Sequence, residues 1–445
     1  MYPSTRREFL KSSAVVAAAS TLAAPAIASS LKSPNDRIRV GLVGLGGRMH
    51  SHIAALAQMD KENVEMVAIC DCDQNKLDTA PKVYPALAGK KLAVYNEQRK
   101  LLDDKSIDAV CFATQDHWHA LQTIWACQAG KDVYVEKPAC HNLWEGRKVV
   151  EAARKHQRVV QVGSQSRSIQ HKRRAMQLLH EGVIGKLYLA KGLCYKRRPS
   201  IGRKPDGPVP AGVNWDMFLG PAPMRPFNPN RYKYNWHWFW DTGNGDIGNQ
   251  GVHEMDIALW GMNLRTLPNS VVSTGGKFIY DDDQETPNTQ LATFDYGAVQ
   301  VVFEVRGLLT GAEGGVPLRG ANCIGNIFYG SEGFMAVDVG GFQVYKGEKR
   351  ELVMDEKYSE ARQWDTSPHM ANFLNAVRSR KQQELTADIE LGVTAAALCH
   401  LANISYRTGR KLNFDPAAGR FVNDAEANRL LTREYRPPYV VPDKV

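Results

Sequence analysis

Short apolar runs alternate with amphipathic ones along the first third of the chain. Strand-length runs stand at Ile38–Val43, Val64–Cys70, Ala109–Ala113, Val133–Val135 and Val159–Val162. Between them, apolar positions recur at helical spacing over Ser51–Met59, Asn96–Leu102, His119–Ala129 and Leu143–Lys155. Strands alternating with helices of this length predict right-handed βαβ units and a parallel sheet buried on both faces. After Gly163-Ser164-Gln165-Ser166 the pattern changes. A helix is predicted over Ser168–Glu181 and a strand over Leu187–Tyr195, then a proline-rich stretch runs from Pro199 to Pro229. Its prolines predict a long irregular excursion, and Trp215 and Phe218 inside it predict an ordered, packed one. From Val271 to Tyr345, strand-like runs separated by polar and glycine-rich turns predict a largely antiparallel sheet. Amphipathic helices, Pro368 to Ser379 and Ile389 to Thr408, close the chain. The fold class that follows is α/β. A doubly wound parallel sheet occupies residues 37–163, an α+β domain with a large, mostly antiparallel open-faced sheet occupies 164–435, and 436–445 is a tail.

Composition agrees with a globular protein of two or three domains: 445 residues, 43% hydrophobic and 23% charged. The net charge of +9 is scattered, with its densest clusters at Lys172-Arg173-Arg174 and Lys196-Arg197-Arg198. No nucleic-acid-binding motif accompanies them, so no nucleic-acid partner is expected. Eight cysteines include no CxxC pair, and Cys70-x-Cys72 has no second half, so free thiols and no metal site are expected. The N-terminus adds an address. Arg6-Arg7 precede an alanine-rich apolar run and the small-x-small site Ala26-Ile27-Ala28. Residues 1–28 thus resemble a twin-arginine (Tat) export signal, followed by a polar linker over 29–36, and imply a periplasmic destination. No other stretch approaches transmembrane length.

The candidate chemistry gathers at strand ends. The first strand runs into Gly44-x-Gly46-Gly47-Arg48, and a helix follows at once. Glycine permits the tight turn and lets a pyrophosphate approach the positive end of a helix. Met49 stands where a third Gly or Ala is expected. Asp71 closes the second strand, where an acid can accept both adenosine-ribose hydroxyls and repel a 2′-phosphate, favouring NAD over NADP. The loop Thr114-Gln115-Asp116-His117-Trp118-His119 leaves the next strand, and ligands of open α/β sheets sit at such carboxyl ends. Tyr134-Val135-Glu136-Lys137-Pro138 ends the strand after that.

These motifs together resemble the Gfo/Idh/MocA oxidoreductase family, from about Ile38 to Asn413, with Glu136-Lys137-Pro138 the most specific of them. The resemblance implies NAD held by Gly44, Gly46, Gly47, Arg48, Asp71, Thr114, His119, Glu136 and Lys137. It places Lys137 beside the nicotinamide and the substrate hydroxyl, where a lysine can stabilise a developing alkoxide and relay a proton.

In the second domain the aromatic run Trp236-His237-Trp238-Phe239-Trp240 precedes a glycine-rich turn and the helix carrying His253 and Asp256. These rings can stack on sugar faces or simply pack in a core. By resemblance His253 is the catalytic histidine. Asn249 stands where the family commonly carries an aspartate, and an amide cannot carry a proton away. Lys137 and His253 are therefore the candidate catalytic pair, with Gln165, Trp240, Asn249 and Asp256 as candidate substrate contacts. The implied activity is oxidation of a sugar, cyclitol or glycoside hydroxyl, with homo-oligomerisation through the C-terminal sheet. Two alternatives stay open. One is an NAD-dependent glycosidase working through transient oxidation and elimination. The other is a non-catalytic sugar-binding protein of the same fold, for which Met49 and Asn249 speak. Export away from the cytoplasmic NAD pool, joined to a dinucleotide site, predicts a cofactor loaded before export, retained, and restored in each cycle.

Overall fold

The computed structural model describes residues 36–358 and 365–445. The expected export signal, and all of the expected linker but Asp36, lie outside the described residues.

The first half alternates as β1 (Ile38–Val43), α1 (Met49–Ala57), β2 (Val64–Cys70), α2 (Gln74–Val83), β3 (Ala93–Tyr95) and α3 (Gln98–Asp103). It continues with β4 (Ala109–Phe112), α4 (Asp116–Gln128), β5 (Asp132–Val135), α5 (Leu143–Lys155) and β6 (Val160–Val162). The strands pair in parallel in the order β3-β2-β1-β4-β5-β6, the doubly wound arrangement whose order reverses between β1 and β4. Two-residue periodicity sorts its side chains: Ala109 and Cys111 join one buried cluster, Val110 and Phe112 the other. Both faces are covered, so β4 is buried at every position.

The second half adds α6 (Gln170–His180), β7 (Leu187–Lys196), α7 (Trp215–Leu219), α8 (Gly245–Asn249) and α9 (Gly251–Gly261). Then come β8 (Ser270–Gly276), β9 (Thr289–Asp295), β10 (Gln300–Arg306), β11 (Asn322–Gly330), β12 (Gly333–Asp338), β13 (Gly341–Lys346) and β14 (Glu351–Lys357). The chain ends through α10 (Ser367–Ser379), α11 (Ile389–Thr408), β15 (Leu412–Asp415), β16 (Arg420–Phe421) and α12 (Ala425–Arg429). Ten strands form one sheet, β14-β13-β12-β11-β7-β10-β9-β8-β15-β16. Every neighbouring pair is antiparallel except β7 with β10. Along β9, Gln290, Ala292 and Phe294 are buried while Leu291 is exposed, so one face is covered and the other open.

The two halves share a continuous core in which Val110 and Phe112 join Ala190, Phe294 and Phe303. The C-terminal region also returns to the first sheet. Met370, Phe373 and Leu374 of α10 pack with Ile53 and Leu56 of α1, and the Val162 N–H donates to the Ala387 carbonyl. The proline-rich excursion is packed as expected. Trp215, Phe218, Phe227, Tyr232 and Trp236 form a small core of their own, with Trp215 stacked on Phe218 at 4.9 Å.

Candidate active site

A cleft of about 700 Å³ opens at the carboxyl ends of β1, β2, β4 and β5. At its foot, Gly44 adopts φ +87°, and a Cβ there would lie 2.7 Å from the Ala113 carbonyl oxygen. Only glycine fits. Gly46 and Gly47 differ, since a Cβ on either would meet open space. Helix α1 begins just beyond, with no side chain capping it. The amides of Met49, His50 and Ser51 bond back to the Gly46, Gly47 and Arg48 carbonyls, so it is the open glycine turn at the helix start that suits the pyrophosphate of a dinucleotide. Met49 is fully buried under this helix, filling core volume where a third glycine would bring helix and strand closer.

Asp71 lines the cleft at the end of β2. Its carboxylate accepts the Leu45 N–H at 2.7 Å and the Asp73 N–H at 3.0 Å, with the Lys76 Nζ at 3.4 Å. It therefore shapes the glycine turn as well as facing the cleft. The proline-rich segment arches over this end as a strap. The Gln74 N–H donates to Gly212 O, the Asn214 N–H to Cys72 O, and the Tyr232 hydroxyl to Asp73 Oδ2, each at 2.8 Å. Trp118 donates from Nε1 to Met217 O at 3.1 Å. Gly220 at the strap's turn lies so close that a Cβ would stand 2.1 Å from the Trp118 ring. Met217 of the strap, with Lys233, Tyr234, Trp236 and His237 just after it, adds to the cleft wall.

The reactive end is organised by Glu136 and Lys137. The buried Glu136 accepts Arg48 Nε at 2.9 Å and Gln165 Nε2 at 3.1 Å, with His52 Nε2 also at 3.1 Å. Burial alone would raise this carboxyl, but Arg48, His52 and Lys137 outweigh it and hold it well below the usual carboxylate range. His119 Nδ1 lies 2.7 Å from the Pro138 carbonyl, which pins the turn carrying Lys137 to α4. Thr114 donates to Gln122 at 2.6 Å. Lys137 crosses the cleft and donates from Nζ to the Asn249 carbonyl at 2.6 Å, with Asn249 Oδ1 at 3.5 Å. The Asn249 amide in turn donates to the Tyr234 hydroxyl at 3.0 Å. Arg198 Nη1 reaches the same hydroxyl at 3.1 Å while pairing with the buried Asp246.

The cleft thus brings together Gly44, Gly46, Gly47, Arg48, Asp71, Thr114, His119, Glu136, Lys137 and Asn249. Four other sequence candidates lie outside its wall. Gln165 sits behind it, donating to Tyr134 and Glu136. Asp256 is turned inward, both oxygens taken by the buried Arg167 guanidinium at 2.8–2.9 Å. Trp240 packs under Arg407, 5.3 Å from its ring centroid. The half-buried His253 is outside the lining too, yet feels the charge of Lys137. Burial first, then that charge, hold its imidazole well below its ordinary pKa, so the ring is neutral.

Among the further wall residues, two bear on the chemistry although the sequence did not single them out as site residues. His237 is buried, stacked on Trp236 at 3.6 Å, with Nδ1 2.6 Å from the Tyr234 carbonyl. Burial and Lys137 keep it neutral, so Nδ1 carries the proton and Nε2 remains an acceptor. Only its place in a run of aromatics distinguished it in sequence. Asp116, the first residue of α4, is the second. A first-turn acid usually just complements the helix dipole, and nothing in sequence separates a buried one from an exposed one.

The residues fit an NAD-sized ligand. The glycine cradle would hold its phosphates, Asp71 its adenosine ribose, and Lys137 would lie at its far end.

Comparison with known proteins agrees. The profile described as oxidoreductase family, NAD-binding Rossmann fold, matches residues 38–164. Its companion, the family's C-terminal alpha/beta domain, matches 199–271 and 332–441, and a twin-arginine translocation signal matches 3–23. A glycosyl hydrolase family 109 protein of Shewanella baltica is 31% identical over 156 residues, 34% of each chain. An alpha-N-acetylgalactosaminidase of Shewanella oneidensis is 29% identical over 154 residues, covering 34% of this chain and 33% of its own. The match therefore spans about a third of the length of these curated relatives. Among solved structures, the WlbA dehydrogenase of Bordetella pertussis, in complex with NADH and UDP-GlcNAcA, superposes with TM-score 0.62 at 21% identity. That superposition covers 85% of this chain and 98% of the other, and it shows a shared fold. With both halves matched and the cleft built as described, the chain belongs to the Gfo/Idh/MocA oxidoreductase family.

Proposed function

We propose that the protein oxidises a ring hydroxyl of a sugar, cyclitol or glycoside with NAD that stays bound, and that each cycle restores the cofactor. The observation that carries this reading is the strap. Hydrogen bonds tie it to the segment after β2 and to α4, and it roofs the cleft over the adenosine end. The Tat signal supports export of a protein already folded around its cofactor, with the periplasm as destination. When bound, NAD supplies the hydride acceptor. Lys137 then sits where it can take the hydroxyl proton, with its Nζ fixed by the Asn249 carbonyl. The neutral His119, His237 and His253 are imidazoles within its influence. Tyr234, Trp236 and His237 offer the substrate an aromatic, hydrogen-bonding wall.

The alternative outcome is glycoside cleavage through transient oxidation, elimination and re-reduction. It is favoured by the partial similarity to the two Shewanella proteins. Assembly through the open face of the ten-stranded sheet belongs to the same proposal, since Tyr188, Val272 and Leu291 are exposed. A monomer in sedimentation would remove that part.

The test is a panel of free pyranoses, myo-inositol and p-nitrophenyl glycosides, including the N-acetyl-α-galactosaminide, with no cofactor added. Product formation without net NADH supports the redox-neutral reading, and nitrophenol release selects the glycosidase branch. Lys137→Met should lower turnover roughly a hundredfold or more while leaving cofactor content unchanged. Full activity in that variant, or turnover only with added NAD, would overturn the assignment.

A further inference from the structure

Asp116 is placed on the cleft wall beside Lys137, yet it is 2% exposed, and its Oδ2 has no hydrogen-bond partner among the described residues. A buried carboxyl kept for structure has its oxygens satisfied, and an acid kept for the helix dipole stays in water. Asp116 does neither. Its surroundings push the carboxyl up to about 7: burial most, opposed by Lys137 and by the Asn244 side chain, with Glu136 adding to the rise. Cys140 and Cys399 also face it, and burial keeps both thiols protonated. Lys137 and Glu136 are therefore the charged groups that act on it. Meanwhile Asn249, the group that does hold the Lys137 amine, offers only a carbonyl and an amide.

We infer that Asp116 is the proton store for Lys137, supplying the carboxylate that Asn249 lacks. This rests on the hydride-transfer reading above. As the carbinol C–H bond breaks and its hydride passes to the nicotinamide, the O–H bond breaks too. That proton goes to the lysine nitrogen while the lysine ammonium passes one, relayed by a water of the cleft, to the Asp116 carboxylate. The carbinol carbon is oxidised to a ketone, the nicotinamide is reduced, and net charge is conserved. Reduction later in the cycle runs the same transfers backwards, so the proton stays in the site along with the cofactor. Asp116 acts through Lys137 and is a positioning residue, not a catalytic one.

The first test needs no substrate. In the protein as purified, labelled with carboxyl-¹³C aspartate, one carboxyl should titrate with a midpoint near neutrality. That signal should vanish in Asp116→Asn and move to higher pH in Lys137→Met, which removes the neighbouring positive charge. The second test uses the panel of pyranoses, inositol and nitrophenyl glycosides. Asp116→Asn should turn over roughly a hundredfold more slowly and lose the rise in rate through about pH 7, where the carboxylate forms. Its bound NAD and melting temperature should match wild type. Asp116→Glu should recover part of the rate. Asn249→Asp added to Asp116→Asn should recover more, by returning a carboxylate to Lys137. Absence of a near-neutral aspartate, a midpoint indifferent to Lys137→Met, or wild-type kinetics in Asp116→Asn would each overturn the inference. The titration requires no turnover, so it decides the role of Asp116 even where every substrate on the panel fails, and the two failures are told apart. Should Asp116→Asn not fold, the midpoint and its response to Lys137→Met still decide.

Discussion

Asp71 binds two backbone amides of its own chain before any ligand arrives, one from the glycine turn and one from the turn after β2. The sequence spacing from Gly44-x-Gly46-Gly47 to an acid at the next strand end made this residue legible. Its bond to the Leu45 amide was not legible, because that bond depends on how the two turns meet. Asp71→Ala should therefore weaken NAD binding by roughly 1–3 kcal/mol and narrow the gap to NADP. Fluorescence titration with both cofactors checks it, and a wild type that prefers NADP would contradict the assignment. The other residue-scale readings divide along the same line. Lys137 and Asn249 sit at a strand end and a helix end, which local pattern marks, and they meet in the cleft. Asp256 shares a helix face with His253 in sequence, but the buried Arg167 guanidinium claims it, and only tertiary packing shows that. Trp240 is one of several alternating aromatics, and pattern alone cannot tell which of them face the cleft.

Elements with strong periodicity and clear caps were readable to the residue. Leu143–Lys155 and Ile389–Thr408 match end to end, each opened by a side-chain cap, Asn142 on the Glu145 N–H and Asp388 on the Glu390 N–H. α2 was hidden because Cys72-Asp73-Gln74-Asn75 has turn chemistry; Asp73 in fact caps the helix that follows. β14 is an exposed, charged edge strand with no buried position to give it a period, and β3 is only three residues long. The strap was foreseen as a packed excursion, but its place over the cofactor cleft was not, since proline content says nothing about where a loop lands. That placement carries a prediction. Gly220→Val would drive a side chain into the Trp118 ring at a backbone with φ +47°. The strap should loosen, and bound NAD should dissociate at least tenfold faster while both sheets stay folded. Stopped-flow capture of released cofactor measures this, and an unchanged release rate would show that the strap does not retain it.

For the whole molecule, the sequence pattern anticipated a parallel sheet followed by a mostly antiparallel one, and both are present. The return of α10 onto the first sheet was not visible, because its apolar stripe fits any buried face. The strand ends of the first sheet, the segment from Met217 to His237, and Asn249 at the end of α8 line one cleft from three parts of the chain. An exported oxidoreductase of this build needs no soluble cofactor pool if its NAD cannot leave. The most direct test is the cofactor content of the purified protein. After exhaustive dialysis and then denaturation, the supernatant should contain NAD in near-stoichiometric amount, and the undenatured sample should still convert substrate with none added. A protein that emerges from dialysis empty, and works only with NAD supplied in excess, would contradict the account.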